Sequence, residues 1–510
     1  MTENMSKGTE VRMKKYKLEL IVFLAGAIDM GLELIAARVL SPYVGSSNLV
    51  WTSIIGIILA SMSLGYWIGG KKAEKGVDKN EISQMLLLAS VFTSAILLLE
   101  TAFVKVLSEK IDNLIVAAII CATVVFSIPS LILAMISPCA VKIKSDEEQE
   151  IGIISGKISS LSTIGSIVGT FLMGFILIPH IGVSNINIGI TIVLIIMSVI
   201  VREKIDKKFL YKLIICSCIV LILLILGKFL FKIANKNVVL DTDSEYSRIW
   251  VEQIAANETT YKTIHVAKGI ESSMDINTKQ MGAKYLQYYD LFNYYNKNAK
   301  STLMIGGAAY TYPMYYFKEY KDKTMDVVEI DNKMTQIAKN EFGLDVNEPR
   351  LKIYNQDGRT YLNYGKAKYD TILIDAFKGL SAPFELTTYG AIMRANNMLN
   401  DNGVVITNVI SGIDGKDAKF IKYEYETYKK VFSDVKVFQV RNLETTRSQN
   451  LIIVGIKGNP EINDSQKEKY ESFIKTDITE QIHGGKIVTD DYAAIGNWKT
   501  CKCRRRNRCI

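Results

Sequence analysis

Residues 303–310, LMIGGAAY, open the stretch whose reading decides the fold. It continues through DVVEID (326–331), NQDG (355–358) and YDTILIDAF (369–377). Four short apolar runs each end in a glycine, a carboxylate or both, and helix-like segments separate them. That alternation predicts a parallel α/β sheet whose strand ends line a nucleoside site. Strands are expected near 302–305, 325–329, 351–354, 370–374 and 403–408, with helices between them. Runs near 434–440 and 450–456 would complete the sheet as an antiparallel hairpin.

The strand ends carry the chemistry. Gly306 and Gly307 follow a strand and precede a helix, which lets the backbone approach a ligand at a helix N-terminus. A dinucleotide fingerprint would continue with a third glycine, whereas here Ala308, Ala309 and Tyr310 follow, so a plain strand-to-helix turn explains the pair equally well. Glu329 lies about 20 positions further on and closes the next strand, where a carboxylate accepts both ribose hydroxyls. Asp357-Gly358 ends the third strand, placed to accept from an adenine amino group while the glycine permits a turn. Asp375 ends the fourth, where it would take the proton from an attacking amine. The plain alternatives are solvated strand-end acids and, for Asp375, a cap on the turn at Phe377–Gly379.

Upstream the chain changes character. Of its 510 residues 49% are hydrophobic, and nearly all the long apolar runs precede Phe231. They fall at about 18–40, 50–69, 84–104, 113–137, 155–178, 183–201 and 210–231, each near the roughly 20 residues that cross a bilayer. About seven spans are therefore expected, with 183–201 short enough for a half-crossing. Lysine-rich segments at the N-terminus, 71–79, 142–157 and 202–212 put the N-terminus on the cytoplasmic side. Seven crossings would then carry the rest of the chain outside, whereas a nucleoside made in the cytoplasm requires the opposite, so sidedness stays open. Asp29 and Glu33 with Arg38, and Glu100, sit inside spans, where charge is costly. They read either as a polar pocket or path, or as a structural Glu33–Arg38 ion pair. Glycines 152, 156, 165, 169 and 174 would let helices approach closely.

The expected organisation is a polar segment at 1–17, a membrane bundle at 18–231, a small antiparallel β-subdomain at 237–280, an α/β nucleoside-binding domain at 281–495 and a basic tail at 496–510. The β-subdomain rests on the alternating runs SRIWVEQ, YKTIHVAK and GIESSM, and residues 280–296 read as a tyrosine-rich helix. The formal charge of +9 argues little for nucleic acid, because the Lys and Arg largely flank apolar spans. No cysteine lies between Asn237 and Thr500, so that half carries no thiol chemistry. The tail CKCRRRNRC matches no trusted metal spacing, and no metal site is expected. The N-terminus lacks the small-residue cleavage site of a secretory signal.

In order and at matching spacing, the phrases GIESSMD, LMIGGAAY, VVEID, QDGRTYL, YDTILIDAF, PFELTTYGA and LNDNGVVITNV resemble spermidine synthases, the polyamine aminopropyltransferases with a methyltransferase-like, Rossmann-type fold. The resemblance covers about 240–460. ARVLSPYVGSS and VWTSIIGIILASMSLGYWIGG in the first two spans are similar to the membrane-fused branch of that family. The resemblance implies that Glu329 holds the ribose, Asp357 and Gly358 the adenine, and that Asp375 accepts the proton. Gly306 and Gly307 would line the nucleoside, and Ser247 would stand where the family has a nucleoside-contacting Gln.

The amine half departs from the family. Its GGGDG is GGAAY here, so Ala309 replaces an Asp that holds the aminopropyl amine. Its D-x-x-D motif becomes Asp375-Ala376-Phe377-Lys378, so Lys378 replaces a second amine-binding Asp, and a substrate-contacting His falls on Tyr285. A like charge at about 4–6 Å costs a few kcal/mol at intermediate dielectric. Tyr285, Tyr288, Tyr289 and Tyr310 would offer ring faces to a cation, each worth about 1–2 kcal/mol when desolvated.

Three readings follow. One is an aminopropyltransferase that uses decarboxylated S-adenosylmethionine and a diamine such as putrescine and releases methylthioadenosine. The second is a lyase on intact S-adenosylmethionine, with Lys378 on its carboxylate. The third is a non-catalytic nucleoside-sensing membrane module. The donor would be a co-substrate, with no tightly bound cofactor. The expected partners are the bilayer, the nucleoside-sulfonium and a diamine, with a homodimer left open and no nucleic acid.

Overall fold

The computed structural model describes residues 2–491 except 112, 149, 257–258, 268 and 377–382, and it leaves the side chains of residues 2–15 and 148 undescribed. Lys378, the turn at 377–379 and the tail at 496–510 therefore lie outside the described residues. The chain divides into two units, Met1–Lys236 with Thr242–Arg248, and Asn237–Asp241 with Ile249–Ile510.

The first unit is helical. Among the described residues seven helices are long and apolar enough to cross a membrane: α1 (Tyr16–Val44), α2 (Asn48–Glu74), α3 (Lys79–Lys110), α4 (Leu114–Glu147), α5 (Ile151–Ile181), α6 (Val183–Val201) and α7 (Lys207–Ala234). The short α6 still runs about 28 Å at 1.5 Å per residue, close to a full hydrocarbon thickness. Of the glycines expected to admit neighbouring helices, Gly165 and Gly169 do so. A Cβ on them would stand 2.0 Å from Phe23 O and 2.3 Å from Ala27 O of α1, whereas Gly152, Gly156 and Gly174 face open space.

The ion pair expected between Glu33 and Arg38 is replaced by other contacts. Arg38 donates to the carbonyl oxygens of Ser244 and Glu245 at 3.1 and 2.6 Å, and Glu33 Oε2 is buried without a hydrogen-bond partner. Glu100 opens a π-helical turn, Glu100–Val104, inside α3. It is 1% exposed, pairs with Arg248 Nη1 at 2.7 Å and accepts from Tyr43 Oη at 3.3 Å. A carboxylate so enclosed is stable because a guanidinium compensates it.

The second unit begins with a four-stranded sheet of β1 (Val238–Asp243), β2 (Arg248–Ala256), β3 (Thr259–Val266) and β4 (Gly269–Asp275), in which β2, β3 and β4 pair antiparallel. The tyrosine-rich segment expected to be helical is a 3-10 turn, Lys284–Asp290, running into a short α-helix, Leu291–Tyr295. A seven-stranded sheet follows: β5 (Ser301–Ile305), β6 (Thr324–Glu329), β7 (Leu351–Asn355), β8 (Tyr369–Ile374), β9 (Leu399–Ser411), β10 (Asp434–Gln439) and β11 (Gln449–Ile456). Its order is β10-β11-β9-β8-β5-β6-β7. The five strands from β5 to β9 pair parallel, and β11 and β10 close one side antiparallel.

The chain winds from β5 outward through β6 to β7, then returns to β8 on the other side of β5. Strand order thus reverses between β5 and β8, the position at which open α/β sheets bind ligands beyond the carboxyl ends of their strands. The parallel strands are apolar on both faces because both faces are covered. Leu303, Ile305, Ile372 and Ile374 join one core layer, while Met304, Leu373, Val404 and Ile406 join the other.

Candidate active site

Strand register assembles the site. Ile305 pairs with Val328 on one side and with Ile374 on the other, and Ile374 pairs with Thr407. The next residue on each strand is therefore Gly306, Glu329, Asp375 or Asn408, in one row along the sheet's carboxyl edge. Glu329 pairs with Asn355 of β7, so Asp357 follows two residues past the same edge. Three carboxylates that are far apart in sequence thus arrive at one edge of the sheet.

The loop after β5 ties the row together. Gly306 has φ +93°, and a Cβ there would lie 2.2 Å from Asp375 O, so only glycine meets both demands. Gly306 N donates to Val328 O at 2.9 Å and Asp375 N to Ile305 O at 2.9 Å. Gly307 N and Ala308 N donate to Glu329 Oε2 at 2.8 and 3.2 Å, and Asp331 N donates to Oε1 at 2.9 Å. Burial raises the pKa of Glu329, and those three amides act against the rise. The carboxylate orders the glycine loop and retains acceptor capacity for a further donor.

Asp357 caps the helix α8 (Gly358–Tyr364), accepting from Thr360 N at 2.7 Å through Oδ1. Its neighbour Gly358 is needed for a different reason from the turn expected of it. Its φ is not among the positive values, but a Cβ would come within 2.5 Å of Ile305 Cγ2. The glycine lets the helix start close against the end of β5.

Asp375 is half-buried. Its Oδ1 accepts from Asn408 Nδ2 at 3.1 Å and its Oδ2 from Tyr285 Oη at 3.0 Å. Asn408 Oδ1 in turn accepts from Asn450 Nδ2 of β11 at 3.0 Å. Desolvation raises the pKa of Asp375, while the bonds from Asn408 and Tyr285 oppose the rise. Tyr285 is pushed well above the ordinary phenol range by burial and by the adjacent carboxylate, so it stays a donor. A carboxylate anchored by two donors and held above its usual range is suited to proton acceptance.

The other expected site residues fall elsewhere. Tyr289 is fully buried, with its ring edge-on to Tyr285 and Tyr312, so it presents no free face and contributes to the surroundings of Asp375. Tyr310 is also fully buried, at φ +55°, with its hydroxyl 2.7 Å from Thr335 Oγ1. It packs beneath Gly307 and offers no ring to a cation. Tyr288 faces the core near Phe438 and Phe473. Ala309 lies in an apolar cluster with Ile249, Val251, Met274 and Met334. Ser247 belongs to the helical unit, where its amide and carbonyl both bond Ser244. Among the described residues no group of three or more His, Cys, Asp or Glu is arranged to hold a metal ion.

Sequence reasoning missed Asn408 and Asn450. For Asn408 a signal was present: with Thr407 it interrupts an otherwise apolar strand (VVITNVI), and a buried amide needs partners.

The spermine/spermidine synthase domain model matches residues 291–466. A polyamine aminopropyltransferase of Vibrio vulnificus is 30% identical over 149 residues, 29% of this chain and 48% of that one. Polyamine aminopropyltransferase 2 of Aquifex aeolicus is 22% identical over 406 residues, 76% of this chain and 78% of that one. The chain thus spans about half the length of the first relative. Among solved structures, a probable spermidine synthase from Corynebacterium glutamicum aligns with 46% of this chain and 84% of its own, at 22% identity and a TM-score of 0.39. Residues 291–466 match the spermine/spermidine synthase domain, and over that stretch the chain is similar to polyamine aminopropyltransferases.

Proposed function

We propose that this protein is a membrane-embedded aminopropyltransferase that uses decarboxylated S-adenosylmethionine as co-substrate. The observation that carries the reading is the Asp375 carboxylate at the strand-order reversal, anchored by Tyr285 and Asn408 in line with Glu329. Glu329 would take the ribose hydroxyls, Asp357 would turn its remaining oxygen toward the adenine amino group, and Gly306–Gly307 would give backbone access. An amine nitrogen attacks the propyl carbon next to sulfur, the C–S bond breaks, and its electron pair converts the sulfonium to the thioether of methylthioadenosine. Asp375 accepts the proton that the attacking nitrogen sheds.

The acceptor is an amine, with a diamine such as putrescine as the substrate proposed from the family. Ala309 supplies no carboxylate to a second ammonium group, so one acid carries most of the acceptor's charge and a diamine should bind weakly. The helical unit supports membrane embedding through its exposed apolar surface. Only 11% of the apolar window of α7 is buried, and Ile222 and Phe229 are 61% and 59% exposed. Such a surface is stable when lipid covers it.

Product analysis tests the reading. The purified chain is incubated with intact or decarboxylated S-adenosylmethionine, with and without putrescine. The expected result is methylthioadenosine and aminopropylated amine in equal amounts, formed only from the decarboxylated donor with amine present. Methylthioadenosine released from intact donor without amine would overturn it, as would binding without turnover.

A further inference from the structure

The helical unit holds a polar cleft around Asp29, remote in sequence from the candidate site of the α/β domain. It is a small cleft between α1, α2, α4 and α5, and its polar lining comes from Asp29, Tyr66, Ser137, Ser162 and Ser166. Asp29 is 3% exposed and its Oδ1 has no hydrogen-bond partner. Among the described residues no basic side chain forms an ion pair with it. The nearby titratable groups are Glu33, one turn along α1, and Tyr66 of α2, and neither supplies positive charge. Ser130 of α4 lies beside the carboxylate, and its hydroxyl is also buried without a partner.

An unpaired carboxylate enclosed by apolar helices costs several kcal/mol or more unless a proton or a cation neutralises it. The donors around the cleft are hard oxygens, a carboxylate and serine hydroxyls, which favour hard cations over soft metals. Ser166 already donates its proton to the carbonyl oxygens of Gly26 and Ser162, at 3.3 and 3.1 Å, so its oxygen has only lone pairs left to offer. The walls are held close: a Cβ on Gly26 would stand 2.3 Å from Ser162 O. Asp29 is the one carboxylate lining the cleft. It balances one positive charge, and a divalent ion would leave a net charge buried. We propose that Asp29, with the hydroxyl oxygens of Ser137, Ser162 and Ser166, forms a binding site for a monovalent alkali cation of the sodium class inside the helical unit.

The test uses the full chain in detergent, with melting temperature followed as NaCl replaces choline chloride at constant ionic strength. The expected result is a saturable rise of several degrees in the wild type, lost in Asp29→Asn and retained in Glu33→Gln. Should Asp29→Asn fail to fold, Ser137→Ala/Ser162→Ala keeps the carboxylate and is expected to weaken the Na⁺ response about 10-fold or more through lost oxygen ligands. Calorimetric titration of wild type with NaCl gives the same binding constant independently. The proposal is overturned if wild type shows no Na⁺-specific shift, as a site carrying only a proton would behave. It is equally overturned if the variants respond as wild type does, or if putrescine stabilises the chain where Na⁺ does not.

Discussion

Asn408 sits beside Asp375 because Ile374 pairs with Thr407, and its amide, held by Asn450, favours the ionised carboxylate. Asn408→Ala removes that donor and so lifts the Asp375 pKa further above its ordinary value. In the proposed role as base, Asp375 would act only when ionised. The acid limb of the pH–rate profile is therefore expected to move to higher pH, with activity near neutrality falling about 10-fold. A profile that drops in height without moving would assign Asn408 a purely structural role. Ala308 makes a separate case. The resembled family has glycine here, and Ala308 adopts φ +46°, a left-handed conformation that costs a residue with a Cβ about 1–2 kcal/mol. Ala308→Gly regains that strain minus the added entropy of the unfolded chain, so a net gain of about 0.5–1 kcal/mol in denaturant stability is expected.

The loop and strands around β5 show which features could be read from residues alone. Glu329, Asp357 and Asp375 were legible because each closes an apolar run, and a run of that length ends where its strand ends. Their gathering at one end of the sheet was expected from that pattern, but the register that sets Gly306, Glu329, Asp375 and Asn408 in one row was not legible. The burial of Tyr289 and Tyr310 escaped for a related reason. A tyrosine-rich segment reads alike whether its rings face a ligand or one another, and only the packing of Tyr285, Tyr289 and Tyr312 distinguishes the two. Position 309 follows the same logic. Substitution by alanine reads as loss of a substrate contact, but the structure adds that Ala309 is fully buried in an apolar cluster. Ala309→Asp is therefore expected to cost about 3 kcal/mol or more of stability, as a buried carboxylate without a partner does. Thermal melts check this. An unchanged melting temperature with a lowered KM for putrescine would show that position 309 faces the substrate after all.

At the scale of the whole molecule, two units of different chemistry share one chain. The seven long helices were readable from composition and length, since a run of about 20 apolar residues has few other uses. The partners of their charges were not readable: Glu100 meets Arg248, well over a hundred positions away. Glu100→Ala removes the carboxylate that balances this buried guanidinium and should cost about 3–5 kcal/mol. The double change Glu100→Leu/Arg248→Met should cost far less, as measured by thermal unfolding in detergent.

The proposed function rests on one sheet edge at which Glu329 and Asp357 would hold a nucleoside and Asp375 would take a proton. Its most direct test measures two quantities on Asp375→Asn: the single-turnover rate with decarboxylated S-adenosylmethionine and putrescine, and the affinity for methylthioadenosine. The rate should fall by about 100-fold or more while the affinity stays within about twofold of wild type. An unchanged rate, or affinity lost in step with turnover, would contradict it.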